Sequence, residues 1–450
     1  MNTDAPHATP DATPDAAGHD GFEAVEYLAC DPCGVLRGKW GPAASLEKAY
    51  GEGIALPLSL HALDRWGREV PGTGLHIESG DLDGHYRAVA PPRRATWRER
   101  PTAIVQLVAH HEDGRPFMGD PRHALAALLD RMAARDLRPV IAFELEFHLV
   151  IAGGALPPVP VGQAGLGDID GQAMYDHDGL AGHAALWDDV RRAADALDVP
   201  IDTIVKEAGP GQFEINLAHG PALQAADDAV MLRHLVRECA AARGLRATFM
   251  AKPFAERPGN GCHIHASLVD GAGVNAFGRD RALLGSAIAG TLDRMPASLL
   301  GLLGTINGFR RLRPGSYAPT RAVWGENNRS VAVRVPMAGT RDARLEHRIA
   351  GADSCPYIVA ALVLGAMLDG IERALAPPPP ATGNAYEAAG ADPGADLGAD
   401  PVAALAAHAA SPFVADTLGP DLARNLHAIL ATERETLAEA IPRLEHATYL

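Results

Sequence analysis

Cysteine is scarce in this 450-residue chain: Cys30, Cys33, Cys239, Cys262 and Cys355 are all there is. An odd, sparse set in so long a chain argues against a disulfide framework and predicts reduced thiols. Cys30 and Cys33 form a CxxC within CDPCG, but no second pair follows at zinc-site spacing, so a turn at a strand end is expected there. The chain also lacks any run of about 18 apolar residues, which argues against a transmembrane helix. Its start shows no basic-then-apolar signal pattern, and a cytoplasmic location is the resulting expectation. Positive charge is in deficit, with a formal net charge of −16. That balance disfavours nucleic acid or an anionic membrane as partner, while leaving room for arginine-lined pockets. Two nucleotide-binding signatures are missing as well. GVLRGKW ends like a Walker motif, but its spacing is one residue short and Trp40 stands where Ser or Thr is required. No GxGxxG lies between a strand and a helix, and there is no internal repeat.

What is present divides into three stretches. Residues 1–21 repeat Ala, Pro, Asp and Thr, too little apolar surface to order a segment, and a disordered tail is expected. Residues 22–100 carry short alternating runs such as EAVEYLA and GVLRGKW broken by Gly and Pro, which predicts a small β-rich domain ending in a hinge at PPRRATWRERP. Residues 101–450 mix strand-like runs (TAIVQLVAHH, PVIAFELEFHLVI) with four helical patterns within 124–295 and a last helix near 420–441. The block 376–400 is rich in Pro, Gly and Ala and reads as an exposed loop. A chain of this size can bury a large core, and the class expected is α+β.

The chemistry gathers in four short segments: AFELEFHLV with Glu144 and Glu146, KEAGPGQFEINL with Glu207 and Glu214, GNGCHIHASL with His263, and RLEHR with Glu346. Residues two apart on a strand share a face, so Glu144 and Glu146 point together, as do Arg344, Glu346 and Arg348. Charges inside apolar runs are costly unless compensated. A salt-bridged acid or an exposed hairpin would explain any one segment; together, five carboxylates and one imidazole suit hard divalent ions, Mg²⁺ or Mn²⁺, and suffice for two. The GPG turn brings Glu207 and Glu214 together, and the glycines before His263 permit close backbone approach to a ligand. The stretch from Asn307 to Pro336 is dense in arginine; Arg311, Arg329 and Arg334 stand out as binders of carboxylate or phosphate, and Arg313 and Arg321 suit a solvated face.

These segments, with FMAKP, RRLRPGSYAP, NNRSVAVRVP and CPYIVAALVLGAMLDGIE, resemble in their order the glutamine synthetase family over roughly residues 22–450. The resemblance implies a small β-grasp domain and a catalytic domain whose curved antiparallel sheet, wrapped by helices, forms a funnel-shaped site. It also implies a homo-oligomer of stacked rings, commonly a dodecamer, with sites shared between neighbours. One metal site would be Glu146, Glu207 and Glu214; a second would be Glu144, His263 and Glu346. Arg311, Arg348 and the backbone at Gly259 would hold glutamate. Arg329 and Arg344 would meet the transferring phosphate, and His265, Ser267 and Arg334 would lie near ATP, the co-substrate. Asp64, in SLHALDRWG, would give a carboxylate to the amine site of an adjacent subunit, with Trp66 lining it; Asp81 and Asp83 in GDLDG are weaker candidates.

The chain departs from that pattern in PGSYAP. Ammonia-using members carry a glutamate immediately before Ala-Pro, and here the residue is Tyr317. A tyrosine brings no negative charge at neutral pH, but it offers an aromatic face or a hydroxyl to a larger amine. Pro258 before Gly259 is a second departure. Tyr386, within 376–400, stands in a context unlike the modified tyrosine loop of regulated family members and is not expected to be a modification site. The expected activity is an ATP-dependent γ-glutamyl-amine ligase acting on small molecules. Its rivals are an ordinary glutamine synthetase, a catalytically silent binding or regulatory relative, and, more remotely, a metal-dependent hydrolase.

Overall fold

The structure, a computed structural model, describes residues 21–153, 159–161, 174–336, 339–387, 394–442, 445, 446 and 448. The tail expected over 1–21 lies almost wholly outside the described residues. Two sheets organise the rest. The first contains β1 (Ala24–Cys30), β2 (Leu36–Pro42), β3 (Ile54–Pro57), β4 (Asp83–Ala88), β5 (Arg93–Arg94) and β6 (Thr102–His110), ordered β2-β1-β6-β4-β3 with β5 also on β6. Its central pair, β1 and β6, is parallel. Two sequence expectations change here. Strand β6, assigned by its position to the larger unit, is the middle of the smaller sheet, because its residues Thr102–Val108 are buried against β1 and β4. The stretch expected as a hinge is also partly strand: Arg93 and Arg94 pair with Ile104 and Ala103.

The second sheet is ordered β11-β12-β13-β10-β7-β9-β8, from β7 (Arg138–Ile151), β8 (Ile201–Lys206), β9 (Gln212–Leu217), β10 (Cys262–Val269), β11 (Trp324–Glu326), β12 (Val333–Val335) and β13 (Leu345–His347). Strand β7 alternates faces along its length. Ile141, Phe143, Leu145 and Phe147 are almost wholly buried on one side, which is the core; Ala142, Glu144 and Glu146 line the other.

The five predicted helices form as α1 (Pro121–Ala133), α2 (Ala184–Ala196), α3 (Ala222–Ala242), α4 (Arg281–Leu303) and α6 (Pro420–Glu439); a further one, α5 (Pro356–Glu372), was not expected from spacing. Local chemistry sets their ends: the Asp120 side chain accepts the Arg122 N–H with Pro121 at the first position, and Asp280 accepts from Ala282 and Leu283. Gly304, at φ +62°, ends α4. Helix α5 is apolar on nearly every side because it is buried on nearly every side. A polar knot joins the two sheets' surroundings: Arg122 forks onto Asp227, and Gln106 of β6 donates to the Tyr357 hydroxyl, which donates to Asp227. All five cysteines are buried thiols, and CDPCG is a turn closed by the Gly34 N–H on the Asp31 carbonyl. Among the described residues no helix is long and apolar enough to cross a membrane.

Candidate active site

Strand register alone assembles most of the site. Glu144 lies opposite His263 on one side and Asn216 on the other; Glu146 lies opposite Glu214; His265 lies opposite Glu346, which lies opposite Arg334. Directly opposed residues share a face, so these side chains form one polar surface on the side of the sheet away from its core. Glu207 is added by the β8–β9 hairpin, where the Glu207 N–H meets the Gln212 carbonyl and Gly211 takes φ +61°.

Within that surface the histidines grip Glu144. His263 Nδ1 donates to Oε2 at 3.2 Å and His265 Nε2 to Oε1 at 2.9 Å. Arg344 Nε donates to His265 Nδ1 at 3.1 Å, which makes Nε2 the protonated nitrogen of that ring. Glu346, almost wholly buried, accepts from Arg334 at 2.6 Å and from Arg348. Glu146 accepts the Gly261 N–H at 2.7 Å.

The electrostatics split the acids in two. Burial would raise Glu346, but Arg348 and His263 outweigh it and hold the carboxyl at about 2. Glu144 likewise lies well below its usual range: burial opposes its ionisation, and the hydrogen bonds from His263 and His265 overcome it. Glu214 is pushed up to about 9 by burial and by Glu144, Glu146 and Glu207. Glu207 is pushed up to about 7 by burial and Glu146. In these two acids burial and the neighbouring carboxylates outweigh any nearby positive charge, and the donor set of carboxylates with imidazole fits a divalent cation.

Two groupings bring ligand atoms within 4.8 Å of one another: Glu144, Glu214 and His263, and Glu144, His265 and Glu346. This differs from the division the resemblance implied. Glu144 is common to both groups because it sits between the two histidines, and His265, expected near ATP, faces Glu144. Among the described residues Glu146 and Glu207 join no such group; their link to the set is through Glu214, whose charge they oppose.

The arginines and glycines frame this centre. Arg311 is buried, its NH1 nitrogen donating to the Ile349 and Ala350 carbonyls at 2.9 Å each. Gly259 and Gly261 are small because this guanidine needs the room: a Cβ on Gly261 would lie 2.8 Å from Arg311 NH2, and one on Gly259 would lie 2.5 Å from the Ala251 carbonyl and 2.8 Å from Arg311 Cγ. The close approach expected at these glycines is therefore to Arg311 and to neighbouring backbone. Arg329 is exposed but within electrostatic reach of Glu207. A cavity of about 1190 Å³ adjoins the acids, lined by Glu144, His265, Ser267 and Arg344 and also by Asp202 and His219. Arg334 is not in its wall; it is occupied by Glu346 and by Asn327 at 2.8 Å.

Asp64, expected to offer a carboxylate to an amine, is 1% exposed, and both oxygens are taken by its own loop: Oδ1 accepts the Trp66 and Arg68 N–H groups at 2.9 and 2.8 Å, and Oδ2 accepts Arg68 Nε at 2.7 Å. It shapes the turn that presents Trp66, which is exposed beneath the Arg68 guanidinium. Asp81 similarly accepts the Ser59 hydroxyl. Tyr317 is 70% exposed and holds φ +58°. The segment 376–387, expected to be simply exposed, is strapped down, with Ala385 buried and the Tyr386 hydroxyl on the Ala318 carbonyl at 3.1 Å.

Three contributors were not singled out from sequence. Gln212 donates to the Gly259 carbonyl at 3.0 Å and sits 3.5 Å from Glu146; Asn260, fully buried, accepts from His148 and donates to the Met250 carbonyl. Both lie inside the conspicuous motifs, so polar residues between the named ligands were the signal. His219 had no such signal and reaches the cavity through the sheet's shape.

Residues 118–449 match the model of the glutamine synthetase catalytic domain. The chain is 39% identical over 378 residues to the γ-glutamylputrescine synthetase of Escherichia coli K12, covering 81% of this chain and 79% of that protein. It is 32% identical over 388 residues to the glutamate–isopropylamine ligase of a Pseudomonas species, covering 82% of each. The solved structure of apo GmaS without ligand superimposes with a TM-score of 0.83 at 27% identity, covering 95% of this chain and 97% of that one.

Proposed function

Because this chain belongs to the glutamine synthetase family, we propose that it ligates the γ-carboxylate of L-glutamate to a primary amine larger than ammonia, with ATP as co-substrate. The observation that carries the choice of amine is Tyr317, which stands where an ammonia-using member has a carboxylate. The relatives named above act on putrescine and isopropylamine, both larger than ammonia. An ammonium ion needs a negative charge to be held and a base to release its proton; an alkylammonium ion needs the base too, but can also be held through its carbon chain. Tyr317 gives neither, and its exposed ring leaves space and an apolar face for a carbon chain.

The site residues would act as follows. Arg348 and the locked guanidinium of Arg311 receive the carboxylates of glutamate, with Gly259 alongside. His265, Ser267 and Arg344 line the cavity that accepts the nucleotide, and Arg329 and Arg344 neutralise charge on the phosphoryl group in flight. A γ-carboxylate oxygen attacks the terminal phosphorus, the bond from that phosphorus to ADP breaks, and an acyl phosphate forms. The amine, which enters protonated, gives its proton to a carboxylate of the site; its nitrogen then attacks the acyl carbon, and phosphate leaves. Glu144, Glu146, Glu207, Glu214, His263 and Glu346 would hold two or more divalent ions, Mg²⁺ or Mn²⁺. When bound, these ions supply charge neutralisation for the polyphosphate and the phosphoryl transfer. The rings of subunits known for the family would complete the amine side of the pocket, and Trp66, exposed in the single chain, would be free to join that contact.

The test is ADP release with glutamate and a panel of ammonia, ethanolamine, alkylamines and polyamines. At least one organic amine should exceed ammonia in kcat/KM. Tyr317→Glu should shift that preference towards ammonia on the order of tenfold, the worth of one partly solvated charge pair. Ammonia equal to or above every organic amine would make the chain an ordinary glutamine synthetase. ATP binding without turnover on any amine would make it a binding protein.

A further inference from the structure

Residues 376–387 are mostly proline, alanine and small polar residues, and Tyr386 is the one aromatic among them. The segment is nonetheless tied along its length to the strands beneath. Trp324 Nε1 donates to the Pro378 carbonyl at 2.7 Å, and the Ala381 N–H donates to the Trp324 carbonyl at 2.8 Å. Asn328 Nδ2 donates to the Gly383 carbonyl at 2.8 Å, and the Ala385 N–H donates to the Ser330 hydroxyl at 3.0 Å. These four ties place Ala385 in the interior and direct Tyr386 across to the PGSYAP turn. There its hydroxyl donates to the Ala318 carbonyl at 3.1 Å. It also lies within electrostatic reach of the Arg348 charge.

This hydroxyl therefore grips the chain immediately after Tyr317. That residue needs holding, because a bulky side chain at φ +58° is in a region such residues rarely occupy. The Ser316 hydroxyl closes the turn from inside, donating to the Arg311 carbonyl at 2.9 Å and to the Arg313 carbonyl at 2.6 Å. Tyr386 closes it from outside.

We propose that Tyr386 is a positioning residue for amine selection, its hydroxyl clamping the Ala318 carbonyl so that Tyr317 is presented to the incoming amine in one fixed orientation. The proposal rests on the amine-ligase reading given above. Because the segment is anchored on the strand pair that also carries Arg329 and Arg334, the clamp couples the amine side of the site to the arginine side.

The test is Tyr386→Phe, which removes one oxygen and keeps the ring. A net hydrogen bond is worth a factor of roughly three to ten. Backbone hydrogen exchange over 313–319 should accelerate by about that factor, and KM for the best organic amine should rise by about that factor. KM for ATP and the melting temperature should stay unchanged. A fall in melting temperature with all KM values rising together would reduce Tyr386 to a packing residue and overturn the proposal. Unchanged exchange, or faster exchange with an unchanged amine KM, would overturn it too. A wild-type protein that turns over no organic amine sinks the functional reading itself; one that does, with Tyr386→Phe indistinguishable from it, sinks only the clamp.

Discussion

At the scale of single residues, the informative signal was charge in an apolar setting. Glu214, between Phe213 and Ile215, is 8% exposed and surrounded by other acids, which is why its carboxyl is pushed up to about 9. Without a cation it keeps its proton at neutral pH. Glu214→Gln should therefore leave the melting temperature of the metal-free protein unchanged or slightly higher, since an amide replaces a group already uncharged. Mn²⁺ affinity measured by calorimetric titration should fall at least about tenfold, with ligase activity falling alongside. A loss of several degrees in the absence of metal would show Glu214 to be a structural acid. Asp64 shows the opposite case. Its residue type suited an amine-binding carboxylate, but hydrogen bonds from its own loop, which no residue type reveals, take both of its oxygens.

At the scale of elements, the period-2 alternation of β7 determines which side chains meet core and which meet substrate, and that alternation is legible in the order of its residues. The register between strands is not. Pairing Glu144 with His263, and His265 with Glu346, depends on how far each strand slides past its neighbour, and one residue of slip would turn every ligand into the core. Helices were legible from apolar spacing, yet one carries a cost that spacing hides. Asp228 on α3 is 7% exposed, and burial, with Asp227 adding to it, raises its carboxyl to about 7. A carboxyl raised in the folded state favours folding below its unfolded value of about 3.9, and that advantage is lost as pH climbs towards 7. Asp228→Asn should therefore gain stability relative to wild type between pH 5 and pH 8, by about 2 kcal/mol after allowing for partial hydration. Denaturant unfolding at both pH values measures this, and a constant or shrinking difference would contradict it.

At the scale of the whole molecule, acids from three separate stretches of chain are held against one another, with histidines from a fourth. A ligand that neutralises them should stabilise the fold. Millimolar Mg²⁺ or Mn²⁺ should raise the melting temperature by a few degrees, the effect of about 2–3 kcal/mol at a hundredfold excess over the dissociation constant. A chelator should reverse the gain, and sodium chloride at matched ionic strength should not reproduce it. An identical response to sodium and magnesium would mean that screening, not site binding, relieves the acids. The same scale explains the misplaced strand β6. Its apolar run suits either sheet, and the buried knot of Gln106, Asp227 and Tyr357 shows why it lies where the two units meet.

By itself, the sequence determined which residue types could carry the chemistry, the face each occupies on its own strand, and the helices behind them, because periodicity and burial cost act over a few neighbouring residues. Only the tertiary structure decided that Glu144 is shared between two histidines, that Asp64 is engaged by its own turn, and that a proline-rich strap carries Tyr386 to the loop of Tyr317. The first and last of those outcomes depend on register and on contacts between segments tens to hundreds of residues apart, which leave no local pattern to read; the Asp64 turn is local, but residue type does not say which donors its carboxylate will meet.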